Sequence, residues 1–148
     1  MSVKGEGVIG YKVLAMVVLV FIAACSTAPI TEEEGRPVPA DRIYALQLVA
    51  VDANPLKARV SFFRDSGFVG AGCTHDIYVN NVKAFAIKQG EYIHVSLDPG
   101  PYFFRLETGA GLCPDISTSQ ETIINAGEKR VYRILLPSDG SLRLTRIE

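Results

Sequence analysis

Two histidines and three cysteines are all that the 148 residues of this chain offer for imidazole or thiol chemistry. So thin a supply leaves little room for a metal centre, and there is no His-Glu-x-x-His stretch to present two imidazoles on one helix face. A Gly-x-Ser-x-Gly nucleophile elbow is missing, and so is a glycine loop leading into a helix that would cradle phosphate. Positive charge is not concentrated anywhere: 15 Lys and Arg stand against 16 Asp and Glu, without the basic stripe a nucleic-acid footprint requires. The expectation is a chain with no cofactor, no nucleic-acid partner and no enzymatic activity. Past residue 24 no segment keeps a helical period, and no apolar run is long enough to span a bilayer.

What is present begins with a leader. Residues 1–12 carry Lys4 and Lys12, and residues 13–24 (VLAMVVLVFIAA) then run without a charged or strongly polar group. A helix of that length measures about 18 Å against a hydrocarbon core of ~30 Å, so the run suits a secretory signal and not a permanent span. The residues closing it, Ile22-Ala23-Ala24-Cys25, resemble the bacterial lipobox: an aliphatic residue, two small ones, then a cysteine whose thiol accepts the lipid. The resemblance implies removal of residues 1–24 and lipidation of Cys25. Two or more acyl chains anchor a protein stably where one binds only marginally, so it also implies a lasting hold on a membrane. Ser26, in a place where aspartate commonly retains lipoproteins in the inner membrane, implies the periplasmic face of the outer membrane.

Residues 26–40 (STAPITEEEGRPVPA) combine Pro29, Pro37 and Pro39 with the run Glu32-Glu33-Glu34. Such a composition buries too little apolar surface to offset ordering entropy, so residues 25–41 are expected to be the lipidated cysteine and a flexible linker.

Residues 42–148 read as one domain of short strands. Residues 42–51 (RIYALQLVAV) fit a strand on their β-branched and aromatic content, although Pro39-Ala40-Asp41 would also open a helical turn. Ala58–Asp65 alternates, with Ala58, Val60 and Phe62 on one face and Arg59, Ser61 and Phe63 on the other. Residues 77–79 and 82–87 flank Asn80-Asn81, a two-residue hairpin turn built from residues that tolerate positive φ. Tyr92–Leu97 alternates with His94 on its polar face, and Asp98-Pro99-Gly100 turns the chain. Strands over 102–107, 121–125, 129–136 and 142–147 complete an all-β fold, a small antiparallel β-sandwich or partly open barrel of about eight strands.

Cys73 and Cys113 are the two cysteines left after the leader, and an exported chain meets an oxidising compartment, so a disulfide is expected. Their surroundings are alike. Phe62-Phe63-Arg64 leads through Gly70-Ala71-Gly72 to Cys73, and Phe103-Phe104-Arg105 leads through Gly109-Ala110-Gly111 to Cys113. The competing reading makes Cys73-Thr74-His75-Asp76, with Cys113 and Asp115, a metal or small-ligand corner, because thiolate, imidazole and carboxylate all ligate zinc. Arg64 and Arg105, at equivalent strand ends, could together clamp an anion.

The segments Ala58-Arg59-Val60 through Phe62-Phe63-Arg64, Asp76-Ile77-Tyr78-Val79-Asn80, Gln89-Gly90-Glu91-Tyr92 and Leu97-Asp98-Pro99-Gly100 together resemble the family known as domain of unknown function 2846. Its members are small bacterial lipoproteins and related envelope proteins. The Asp98-Pro99-Gly100 element is also similar to PEGA-type surface-layer β modules. The resemblance covers roughly Ala58 to Leu136 and rests on strand-and-turn grammar. It implies a β fold at the cell envelope and carries no activity with it.

Overall fold

The computed structural model describes residues 27–49, 54–67, 70–110, 113–135 and 143–147. Residues 1–24, expected to be a leader, and Cys25 lie outside the described residues. Those described form nine strands: β1 (Arg36–Pro37), β2 (Ala58–Arg64), β3 (His75–Val79), β4 (Val82–Ile87), β5 (Glu91–Leu97), β6 (Gly100–Ala110), β7 (Cys113–Ile124), β8 (Lys129–Leu135) and β9 (Arg143–Arg146). One sheet has the order β1-β5-β2-β8-β9 and the other β4-β3-β6-β7. The expected all-β sandwich is there, with one difference: β2 pairs with β8, and β1 with β5, in parallel. Such neighbours are joined through the rest of the fold and not by a tight turn.

Alternation decides which side chains meet between the sheets. Val60 and Phe62 of β2, Ile93, Val95 and Leu97 of β5, and Tyr132 and Ile134 of β8 face Ile77, Phe85, Ile87, Phe104 and Leu106 of the second sheet, all buried. Phe62 sits at the centre. Its ring lies 5.4 Å from Phe85, 5.5 Å from Phe104 and 5.4 Å from Tyr132, centroid to centroid. The expected hairpin turn is also present: Asn80 and Asn81 adopt φ of 50° and 66°, the left-handed pair that matches strand twist in a two-residue loop.

The strands run between two poles. At the disulfide pole lie the end of β2, the start of β3, the 88–90 turn and the chain entering β1. At the far pole lie the Asn80-Asn81 turn, Asp98-Pro99, the 125–128 turn and the start of β2.

Three expectations are corrected. Of the expected strand 42–51, the described residues 42–49 do not form a strand. After Pro39 the chain makes a 3-10 turn over Ala40–Arg42, Ile43 bridges Phe85, and a single helical turn, α1 (Leu46–Val49), follows. The carbonyl of Ala84 accepts both the Tyr44 and Ala45 N–H groups, which ends any ladder there. Arg42 is held by a two-pronged ion pair to Glu91, at 2.7 and 2.5 Å.

Next, the described part of the supposed linker is a packed strap. Ala28 and Ser66 exchange backbone hydrogen bonds of 2.7 and 3.0 Å, Ile30 and Val38 are buried, and β1 joins the sheet. The strap has what its composition concealed, a buried anchor for its backbone. Asp65 accepts from the Ile30 N–H at 3.2 Å and from Arg133, which in turn donates to the Ile30 carbonyl at 3.1 Å. Finally, β7 begins at Cys113, far ahead of the expected residue 121, because an edge strand reading Ser117-Thr118-Ser119-Gln120 shows no apolar alternation.

Cys73 and Cys113 are bonded, with Cα atoms 5.7 Å apart. The bridge ties the lead-in to β3 to the start of β7, the two strands that flank β6. In the chain-entropy picture a loop of this size is worth about 4 kcal/mol. Cys73→Ser and Cys113→Ser are therefore expected to lower the melting temperature equally, by on the order of 10 °C or more. Clearly unequal shifts in a thermal melt would show that the two sulfurs do not act as one unit.

Candidate functional site

Arg64, Cys73, His75, Asp76, Cys113 and Asp115 lie near the disulfide pole but face different ways, and Arg105 sits in mid-strand on β6, not at the strand end expected. His75 is fully buried on the inner face of β3, and neither ring nitrogen has a hydrogen-bond partner. Burial, and then the charge of Arg64, push its pKa down to about 4, with the Cys73 backbone opposing. Arg64 reaches the same interior from the opposite sheet. It is 1% exposed, and its Nη1 donates to the Asp65 carbonyl at 3.1 Å and to the Ile134 carbonyl at 3.5 Å. Its Nε and Nη2 are unpartnered, and burial lowers its pKa.

Asp76, the neighbour of His75, points outward and pairs with Lys83 at 2.7 Å. Arg105 also lies on the outer face of its sheet, paired with Glu107 at 2.6 Å and stacked 4.2 Å above the Tyr78 ring. Asp115 is exposed near the start of β7. The expected anion clamp is thus not assembled, since Arg64 points into the core and Arg105 away from it. The Cys73–Asp76 corner does not converge either: its sulfur is bonded to Cys113, its imidazole faces inward and its carboxylate faces outward. Among the described residues no group of three or more His, Cys, Asp or Glu is placed to hold a metal ion.

A different constellation, not visible in the sequence, lies on the outer face of the five-stranded sheet. Ser61 of β2 and His94 of β5 are directly opposed, with Ser61 Oγ 2.8 Å from His94 Nδ1. Glu32 of the strap places Oε1 3.0 Å from His94 Nε2 and 3.6 Å from Arg59. Burial and the Arg59 charge lower the pKa of His94, against the pull of Glu32. Phe63 and Tyr92 stack beside this group at 5.8 Å, and both rings approach His94.

Serine, imidazole and carboxylate in series are the parts of a nucleophile relay. Here, however, Ser61 sits in mid-strand between β5 and β8, so the backbone N–H groups around it belong to the ladders. An oxyanion would need such donors free. What the arrangement does is hold the strap on the sheet. Sequence reading placed His94 correctly on the polar face. It missed Glu32, which sits in an acidic run, and the Ser61 register, which depends on two strands distant in the chain.

The far pole carries a shallow groove of about 480 Å³ lined by Asn80, Pro101, Tyr102, Phe103, Glu121, Thr122 and Ile123. Asn80 shapes its floor, accepting the Phe103 N–H at 2.9 Å through its side chain and donating its own N–H to the Phe103 carbonyl at 2.8 Å. Ile123 is 68% exposed beside it. Leu56 and Val82 are also exposed at this pole, and Tyr44 and Leu46 lie beside the Ala84 contact. Three of the exposed large apolar side chains, Leu56, Val82 and Ile123, therefore lie at the far pole.

No protein-family model matches this chain, and no curated protein matches it significantly.

The buried imidazole has a measurable consequence. A histidine whose folded pKa lies below its unfolded value of 6.5 contributes stability at higher pH, and that stability is lost as pH falls from about 6.5 to about 4. The loss amounts to about 3 kcal/mol for a shift of this size. His75→Gln is expected to flatten the dependence of unfolding free energy on pH between 5 and 6.5, whatever its effect on stability at neutral pH. An unchanged slope in denaturant titrations would show that His75 does not titrate in this way.

Proposed function

We propose that this chain is a lipid-anchored protein of the bacterial cell envelope whose β-sandwich is a non-enzymatic interaction or accessory module. The observation that carries the reading is the apolar run of residues 13–24 ending in Ile22-Ala23-Ala24-Cys25. A dozen apolar residues are too few to cross a bilayer but suffice for a signal segment, and the small pair before cysteine suits lipidation and cleavage there. The Cys73–Cys113 bridge supports export, since structural disulfides persist in oxidising compartments. Ser26 favours the periplasmic face of the outer membrane. The strand-and-turn grammar of Ala58–Leu136 favours kinship with the domain of unknown function 2846 lipoproteins. An interaction role draws its support from the far-pole groove and the apolar side chains around it, which lie opposite the end where the chain leaves toward Cys25.

Metabolic labelling with a fatty acid tests the anchor. The wild-type chain is expected to take up label at Cys25 and to fractionate with membranes, whereas Cys25→Ala yields unlabelled precursor or released protein. Equal label in both would refute the assignment.

A further inference from the structure

Resting on the lipid-anchor reading, we infer that the disulfide pole of the sandwich is held flush against the lipid surface, with the far pole turned away from it. The inference comes from where the fixed part of the chain begins. Ala28 is locked to Ser66 by hydrogen bonds in both directions, at 2.7 and 3.0 Å. Thr27 lies against Gly67, where an added Cβ would come within 3.3 Å of the Thr27 hydroxyl. Only Ser26 and Thr27 separate Cys25 from that lock. Fully extended, this stretch reaches about 10 Å.

The lock is backed from behind. Ile30 is buried, its N–H is held by Asp65, and Arg133 clamps both Asp65 and the Ile30 carbonyl. Glu32 meets His94 and Arg59, and β1 enters the sheet beside Glu91. Paying out more chain would mean breaking these contacts together. The acyl chains on Cys25 must enter the bilayer, so the surface around Ser66, Ala71 and the 88–90 turn lies at the headgroups.

That surface is concave and mostly polar. A hollow of about 450 Å³ there is lined by Glu34, Arg36, Ser66, Ala71, Gln89 and Gly90, with Ile30 at its edge. Arg36 and Lys88 are exposed nearby, suited to lipid phosphates, while Glu34 tempers the charge. Charge does not orient the domain. The short connection does.

Strand β4 is a built-in ruler, with Val82 exposed at the far pole and Lys88 exposed just past its other end. The full-length lipidated protein, carrying Lys88→Cys or Val82→Cys with an environment-sensitive fluorophore, is placed in phosphatidylcholine vesicles doped with a headgroup spin-labelled lipid. The Lys88→Cys probe is expected to be quenched several-fold more than the Val82→Cys probe. A long Gly/Ser spacer inserted between Ser26 and Thr27 is expected to erase the difference, because a flexible linker frees the domain to tumble. Equal quenching at both positions in protein that floats with vesicles overturns the orientation alone, as does a difference that survives the spacer. Failure to float with vesicles overturns the anchor, and the orientation with it.

Discussion

Strand β2 holds the molecule together through one side chain. Phe62 projects from the middle of the five-stranded sheet and touches Phe85 and Phe104 of the other sheet and Tyr132 of its own, so a single ring joins β2, β4, β6 and β8. Removing a ring of this kind typically costs ~3–5 kcal/mol, a large part of the ~5–15 kcal/mol that a small domain has. The same strand supplies Ser61 to the outer face and Arg64 to the interior, and its neighbour Asp65 secures the strap. The placement of everything else follows from β2 being central, with β5 on one side and β8 on the other.

Both faces of the five-stranded sheet hold packed side chains, by different means. The inner face meets the second sheet through aromatic and aliphatic packing. The outer face carries Phe63 and Tyr92, which the strap and Arg133 cover, Arg133 lying 5.4 Å from the Phe63 ring. The strap is held there by hydrogen bonds and charge pairs more than by apolar area, with Ile30 its one deeply buried apolar contact on that face. Segments rich in proline and glutamate can be ordered this way when a folded surface offers buried acceptors and donors in the right places.

That contrast explains how much could be read from the sequence. A strand with clean alternation, Tyr92–Leu97, was legible because a buried face imposes period two, and Val82–Ile87 was legible from the Asn80-Asn81 turn before it. The disulfide was legible from the cysteine count together with the expectation of an oxidising compartment. Residues 42–49 misled because their β-branched content is used to pack α1 and Ile43 against the core, not to build a ladder. The strap, the first half of β7 and the Ser61–His94–Glu32 group were hidden for another reason. Each depends on which distant segments become neighbours, and polar residues carry no periodic mark of that. The corner from Cys73 to Asp76 looked like a site because its residues are consecutive, yet consecutive residues of a strand point to opposite sides.

The parallel pairing of β2 with β8 bears on how the chain comes together in time. Arg59 sits beside Lys129 and Arg64 beside Ile134, so the central strand lacks one of its two neighbours until most of the polypeptide has been synthesised. Closure of the sandwich core therefore depends on contacts of large sequence separation, which form late and slowly. Up to that point β2 has only β5 beside it, and the five-stranded sheet is incomplete. The first half of the domain therefore cannot finish its own sheet, and by itself would leave β2 with an open edge ready to pair with another chain.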